Sequence, residues 1–176
     1  MIEFISELPS KILQLKQSPE IPVRLVLGNE SCDLDSAICA ITLAHHLHSK
    51  NEDRTLVLPV LNIPQEDVPL RTEVEFCIGK ELLCKVPTRD DIDFAALTNV
   101  QVILVDHHKL IEELEFLSDK VTQIIDHRQE DASAKIPDDC KKTIQLVGSC
   151  ATLVTLELLK NGYKVSRKSN CSSFEK

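Results

Sequence analysis

Val102-Ile103-Leu104-Val105-Asp106-His107-His108 joins an apolar, β-branched run to a carboxylate and two imidazoles. The run reads as a buried strand, and the polar triplet falls just beyond its carboxyl end. The same pattern occurs twice more. Arg24-Leu25-Val26-Leu27-Gly28 leads into Asn29-Glu30-Ser31-Cys32-Asp33-Leu34-Asp35, and Val121-Thr122-Gln123-Ile124-Ile125 leads into Asp126-His127-Arg128. In an open α/β sheet the carboxyl edge is where ligands bind. Carboxylates and imidazoles converging on that edge suit divalent metal ions. A metal site of this kind points to an oxygen-rich, anionic substrate, phosphate above all.

The remaining segments fill in a doubly wound sheet. Ile5, Leu8, Ile12 and Leu15 stand at helical spacing, so residues 2–17 predict an opening helix, although Pro9 works against its first half. Strands are predicted at 23–28, 55–61, 100–105, 121–125 and 144–147. Helices are predicted at 36–49, about 70–83, 110–117 and, with Ser149 as cap, through Lys160. The polar segment 129–140, which contains Pro137, reads as a loop. Strands alternating with helices predict an α/β fold of three layers around a mainly parallel, doubly wound sheet, over a domain of residues 1–161. Residues 162–176 are polar and lack an apolar period, so they read as a frayed or disordered tail.

The bulk composition narrows the function. A chain of 176 residues with 43% hydrophobic content suits one globular domain with a real core. No apolar stretch approaches the roughly 20 residues needed to span a bilayer, and Met1-Ile2-Glu3-Phe4 opens no basic region followed by an apolar segment, so no secretory signal is expected. The seven cysteines are odd in number and form no Cys-x-x-Cys pair, which argues against a disulfide framework and a zinc ribbon. Several, among them Cys39, Cys77 and Cys150, fall in helix-like segments where a thiol acts as a small hydrophobe. A cytoplasmic location fits best, with the nucleus as the other reducing compartment. The formal charge of -8 and the absence of a basic stripe speak against nucleic acid and anionic membrane as partners. The expected partner is a phosphate-containing small molecule.

Within the motifs, Asp33 and Asp35 are one residue apart in a loop, where both side chains can turn toward one ion pair; a helix-capping acid is the competing reading. Asp106-His107-His108 gives no obvious folding benefit, and Asp126-His127 follows 20 residues later on the next βα unit. Two ions about 3.5–4 Å apart would share a water and neutralise charge on phosphate oxygens, with Asp106 as the natural bridge. Arg128 offers paired hydrogen bonds to phosphate, against the plainer reading of a surface salt bridge. The helix start at Gly148-Ser149 could present N–H groups to an anion. His45, His46 and His48 read as a solvated helix end, Glu112, Glu113 and Glu115 as a water-facing surface, and Asp90, Asp91 and Asp93 as a turn and helix start.

These motifs, in this order and completed by Val147-Gly148-Ser149-Cys150-Ala151-Thr152, resemble the DHH phosphoesterases. Leu58-Pro59-Val60-Leu61-Asn62-Ile63-Pro64 and Pro69-Leu70-Arg71 are similar to the animal prune and exopolyphosphatase branch, which is related to family II inorganic pyrophosphatases. The resemblance covers roughly residues 22–160. It implies Asp33 as a ligand of one metal, Asp35 as a ligand of the other, Asp106 as the shared carboxylate and His127 as an imidazole ligand. It implies catalytic roles for His107, His108 and Arg128, and substrate contacts from Asn29 and Arg128. Asn29 stands where pyrophosphatases carry a metal-binding histidine, and Arg128 replaces a second histidine, both as in the prune branch. The implied cofactor is a two-ion site of Mn²⁺ or Mg²⁺, with Co²⁺ a further option. The implied activity is hydrolysis of short-chain polyphosphate or pyrophosphate, with cyclic-nucleotide hydrolysis a further one. The family's later metal-binding aspartate and its DHHA2 domain have no counterpart in the sequence, so a weakened activity is expected. The competing expectation is a non-catalytic fragment that binds protein partners or modulates a longer form.

Overall fold

A computed structural model of the chain describes residues 1–51 and 55–163. Beyond Tyr163, the expected polar tail lies outside the described residues. The five strands are β1 (Val23–Leu27), β2 (Leu56–Val60), β3 (Val100–Val105), β4 (Val121–Asp126) and β5 (Lys141–Ile144). They form one sheet in the order β2-β1-β3-β4-β5, and every neighbouring pair is parallel. The chain leaves β1 toward β2, then crosses back to β3 on the opposite side. The crevice between the carboxyl ends of β1 and β3 is therefore the topological switch point, where sheets of this kind bind ligands. Helices cover both faces of the sheet. The longer ones are α1 (Ile2–Gln17), α2 (Leu34–Ser49) and α5 (Cys150–Lys160). Val23, Leu25, Val26, Leu27, Val102 and Leu104 are all essentially inaccessible, as strands enclosed on both faces require.

Helix α1 runs through Pro9 without a break. A helix-interior proline costs about 3 kcal/mol. Phe4, Ile5, Leu8, Ile12 and Leu15 are all buried along one stripe, and each such side chain contributes roughly 1.5–3 kcal/mol on burial. The stripe outweighs the proline.

Three sequence expectations are corrected. The helix expected over about 70–83 is instead a 3-10 turn at Gln65–Leu70, then α3 (Thr72–Ile78) and α4 (Lys80–Leu83). The break falls at Gly79, whose φ of 89° belongs to the left-handed region. The helix expected over 110–117 is a 3-10 segment at Glu112–Lys120. The strand expected at 144–147 is displaced to Lys141–Ile144, and Leu146 is 77% exposed. As an edge strand β5 lacks an enclosed face, and its lysines pair with neighbours: Lys141 with Glu157 and Lys142 with Glu130. Charged edge strands of this kind escape a search for apolar runs.

Gly28 ends β1 where the chain must pass Ser36. A Cβ at Gly28 would meet Ser36 Oγ at 2.7 Å. That oxygen is fully buried and accepts the N–H of Asn29 at 2.6 Å. Gly28→Ala is therefore expected to lower stability by about 1–3 kcal/mol through overpacking. Gly148→Ala, which meets nothing within 4 Å, should be nearly neutral. Urea denaturation of both variants checks this, and equal midpoints would refute it.

Candidate metal centre

Asp106 is the first residue past β3. Its N–H donates to the Ile125 carbonyl at 2.9 Å, which extends the β3–β4 ladder by one step. Its φ of 65° then turns the chain out of the strand, a left-handed geometry that aspartate tolerates better than most residues. The side chain is 1% exposed, yet neither carboxylate oxygen has a hydrogen-bond partner. Burial, the largest influence, pushes its pKa up. Arg128 and His127 pull it down, Asp33 and Asp35 push it further up, and the result is about 6.

His127, just past β4, reaches Asp106. Its Nδ1 lies 3.0 Å from the Val147 carbonyl, which fixes the ring proton on Nδ1. Nε2 is then a lone pair, and it lies 3.2 Å from Asp106 Oδ1. Two acceptors at that separation repel unless a proton or cation lies between them. The third member is Asp35, in the first turn of α2. Ligand atoms of Asp35, Asp106 and His127 all lie within 4.8 Å of one another. This donor set of two carboxylates and one imidazole fits a divalent cation such as Mn²⁺.

Asp35 is held from the far side of the sequence. Its Oδ1 accepts from the Ser149 hydroxyl at 3.0 Å and the Ala151 N–H at 2.9 Å, and its Oδ2 accepts the Cys150 N–H at 2.8 Å. Burial pushes its pKa up, but these donors and the Cys39 thiol outweigh burial and hold the carboxyl below its usual range. The helix start at Gly148-Ser149, expected to meet a substrate anion, is occupied by this carboxylate. Asp33 stands apart: it is exposed and caps α2, accepting the Ser36 N–H at 3.0 Å.

The two imidazoles after Asp106 differ. His108 is engaged at both nitrogens: Nδ1 pairs with the buried Asp126, and Nε2 accepts the Asp131 N–H at 2.8 Å. His107 commits only Nδ1, to the Val105 carbonyl at 3.0 Å, while Nε2 is buried without a partner. Burial pushes its pKa down to about 4. Arg128 brings Nη2 to 3.8 Å from Asp106 Oδ2 and keeps half its side chain exposed. Asn29 donates to the Asp106 carbonyl and accepts the Ser31 N–H. A cleft of about 510 Å³ beside the centre is lined by Asn29, His107, His108 and Arg128, and also by Asn62.

Sequence reasoning missed Asp126, although it stands in the motif. It is fully buried and accepts the N–H groups of His127 at 2.7 Å and Arg128 at 3.3 Å. It also misjudged the histidines of α2. They are packed, not solvated: His46 is 3% exposed, and Phe4 of α1 lies 5.5 Å from the His45 ring and 5.2 Å from the His48 ring. Cys39 and Cys150 are buried as expected, whereas Cys77 is exposed. Among the described residues no helix is long and apolar enough to cross a membrane.

The family described as "DHH family, N-terminal domain" matches residues 24–173. The human protein named "Exopolyphosphatase PRUNE1" is 38% identical over 149 residues, 82% of this chain and 32% of the relative. The Mus musculus protein of the same name is 40% identical over 147 residues, 79% of this chain and 31% of the relative. "Protein prune homolog 2" of Mus musculus is 32% identical over 169 residues, 90% of this chain but 5% of the relative. The chain thus spans about a third of the PRUNE1 relatives it matches.

Proposed function

This chain belongs to the DHH family, and we propose that it is a metal-dependent phosphoanhydride hydrolase acting on short-chain polyphosphate or pyrophosphate. The observation that carries the reading is the His127 Nε2 lone pair facing the unpartnered, buried Asp106 carboxylate at 3.2 Å. A shared proton or a divalent cation makes such a pairing favourable, and the third donor, Asp35, favours the cation. Asp35, Asp106 and His127 would hold it. Asp33, one residue before α2, is close enough to raise the pKa of Asp106 and would join as a ligand of a second ion. The ligand set favours Mn²⁺, with Mg²⁺ and Co²⁺ as alternatives. Metal ions bound there supply Lewis-acid activation of water and of the phosphoryl oxygens.

The chain's own residues do the rest. Val147 keeps the His127 proton on Nδ1, so Nε2 always faces the centre. Ser149 and the start of α5 keep Asp35 ionised and aimed. Arg128, exposed at the mouth, binds and orients a phosphoryl group by paired hydrogen bonds. Burial keeps His107 neutral at pH 7, so its free Nε2 can accept a hydrogen bond beside the cleft. His108, fixed at both nitrogens, positions the loop from Lys109 to Asp131 and does not itself move a proton. The domain would comprise residues 1–161, and its buried free thiols Cys32, Cys39 and Cys150 accord with a cytoplasmic or nuclear location.

The test is phosphate release from pyrophosphate and tripolyphosphate with Mn²⁺ or Mg²⁺. Release should require metal and fall at least about a hundredfold in His127→Ala, roughly 2.7 kcal/mol of lost transition-state stabilisation. Release that survives chelation of metal, or that His127→Ala leaves intact, would refute the reading.

A further inference from the structure

Two buried polar groups in the cleft beside the metal centre have no protein partner. Asn62 follows β2, close to the switch point between β1 and β3. It is 1% exposed, and neither its Oδ1 nor its Nδ2 makes a hydrogen bond. His107 is 8% exposed, and its Nε2 is unpartnered in the same way. Both side chains line the one cleft of about 510 Å³, as does Arg128. Buried amides are nearly always satisfied, because an unpaired donor or acceptor keeps the full cost of leaving water. A leucine at position 62 would fill nearly the same volume without that cost. Packing therefore does not account for the amide, and the protein supplies no partner for it.

Resting on the hydrolase reading, we propose that Asn62 contacts substrate: with His107 and Arg128 it forms a phosphoryl subsite in the cleft beside the metal centre. The chemistry of the lining favours this occupant. Five carboxylates, Glu112 and Glu113 among them, line the same cleft against two basic residues, Lys109 and Arg128, so a polyanion accompanied by cations is favoured over a bare one. Phosphate whose charge is already offset by metal needs directional donors more than further positive charge. The two N–H bonds of an amide supply them, and they do so at any pH. The Asn62 Oδ1 and the His107 Nε2 supply acceptors for a P–OH group or for water that bridges to it. Asn29, by contrast, spends its amide within the protein, on the Asp106 carbonyl and the Ser31 N–H.

The test uses the full chain with orthophosphate as probe. In ¹⁵N spectra recorded with Mg²⁺, the Asn62 side-chain NH₂ signals should move in a saturable manner as orthophosphate is added; signals that stay fixed overturn the subsite. Asn62→Leu should bind orthophosphate about tenfold more weakly, while its melting temperature does not fall and its Mn²⁺ affinity is unchanged. A purely structural asparagine gives the opposite result, a lower melting temperature with phosphate affinity retained, which also overturns the proposal. Mn²⁺ affinity of the parent chain separates the two readings. If Mn²⁺ binds but the Asn62 signals ignore phosphate, the subsite fails and the metal centre stands. If Mn²⁺ does not bind, the hydrolase reading fails, and the subsite with it.

Discussion

Millimolar Mn²⁺ is expected to raise the melting temperature of this chain by about 5–10 °C at pH 8, and by much less at pH 5. The magnitude follows from linkage: free ligand at a hundred times its dissociation constant adds about 2.7 kcal/mol, and 1 kcal/mol is worth about 2–4 °C in a domain of this size. The pH dependence follows from Asp106. Its pKa is raised from 3.8 in the free side chain to about 6 in the fold. The folded state therefore holds this proton more tightly than the unfolded state. The stabilisation is fully present below pH 3.8 and is lost as pH rises through 6. Above that window the metal-free protein carries an ionised, buried carboxylate that accepts no hydrogen bond, at a cost on the order of 3 kcal/mol. A divalent ion removes that cost at pH 8, but at pH 5 it must first displace the proton. Asp106→Asn should then do two things at once. It should abolish the response to Mn²⁺, and without metal at pH 8 it should melt higher than the parent. A variant that melts lower than the parent and still responds to Mn²⁺ would remove Asp106 from the centre.

Much of this arrangement was legible in the sequence, for a definable reason. A short β-branched run marks a strand from its own residues, and the parallel α/β rule places whatever follows it at one edge. That is how Asp106 and His127, 21 positions apart, come together on adjacent strands. The edge strand β5 was misplaced because its pattern is set by pairing with β4 and by lysine ion pairs, not by burial. The break at Gly79 depends on a backbone angle that glycine permits but does not announce. The two aspartates of Asp33-Leu34-Asp35 look equivalent in sequence. Helix α2 separates them: its cap takes the first, and its opening turn swings the second toward α5. Asn62 carried no local signal at all, since an orphaned amide is visible only once its surroundings are known.

The largest loss of stability is expected from the residue whose carboxylate holds the start of the loop that carries His127. Asp126 is fully buried, and three donors converge on its carboxylate: His108 Nδ1 and the N–H groups of His127 and Arg128. Asp126→Ala leaves all three without their acceptor in the wall of the cleft. Removing one partner of a buried pair costs about 3–5 kcal/mol, and the backbone donors add to that. His127→Ala removes a ring that is 21% exposed and whose main contacts are one carbonyl and one repelling carboxylate, so it should cost about 1 kcal/mol or less. The two neighbours thus separate by effect. Asp126→Ala should lower the urea midpoint sharply, while His127→Ala should leave it nearly in place yet eliminate the Mn²⁺ response. Asp126→Asn should fall between parent and alanine, because its amide oxygen can still accept from the backbone but no longer carries the charge that His108 faces. If Asp126→Ala unfolds at the same urea concentration as the parent, the carboxylate does not hold the His127 loop, and the orientation of the imidazole must come from Val147 alone.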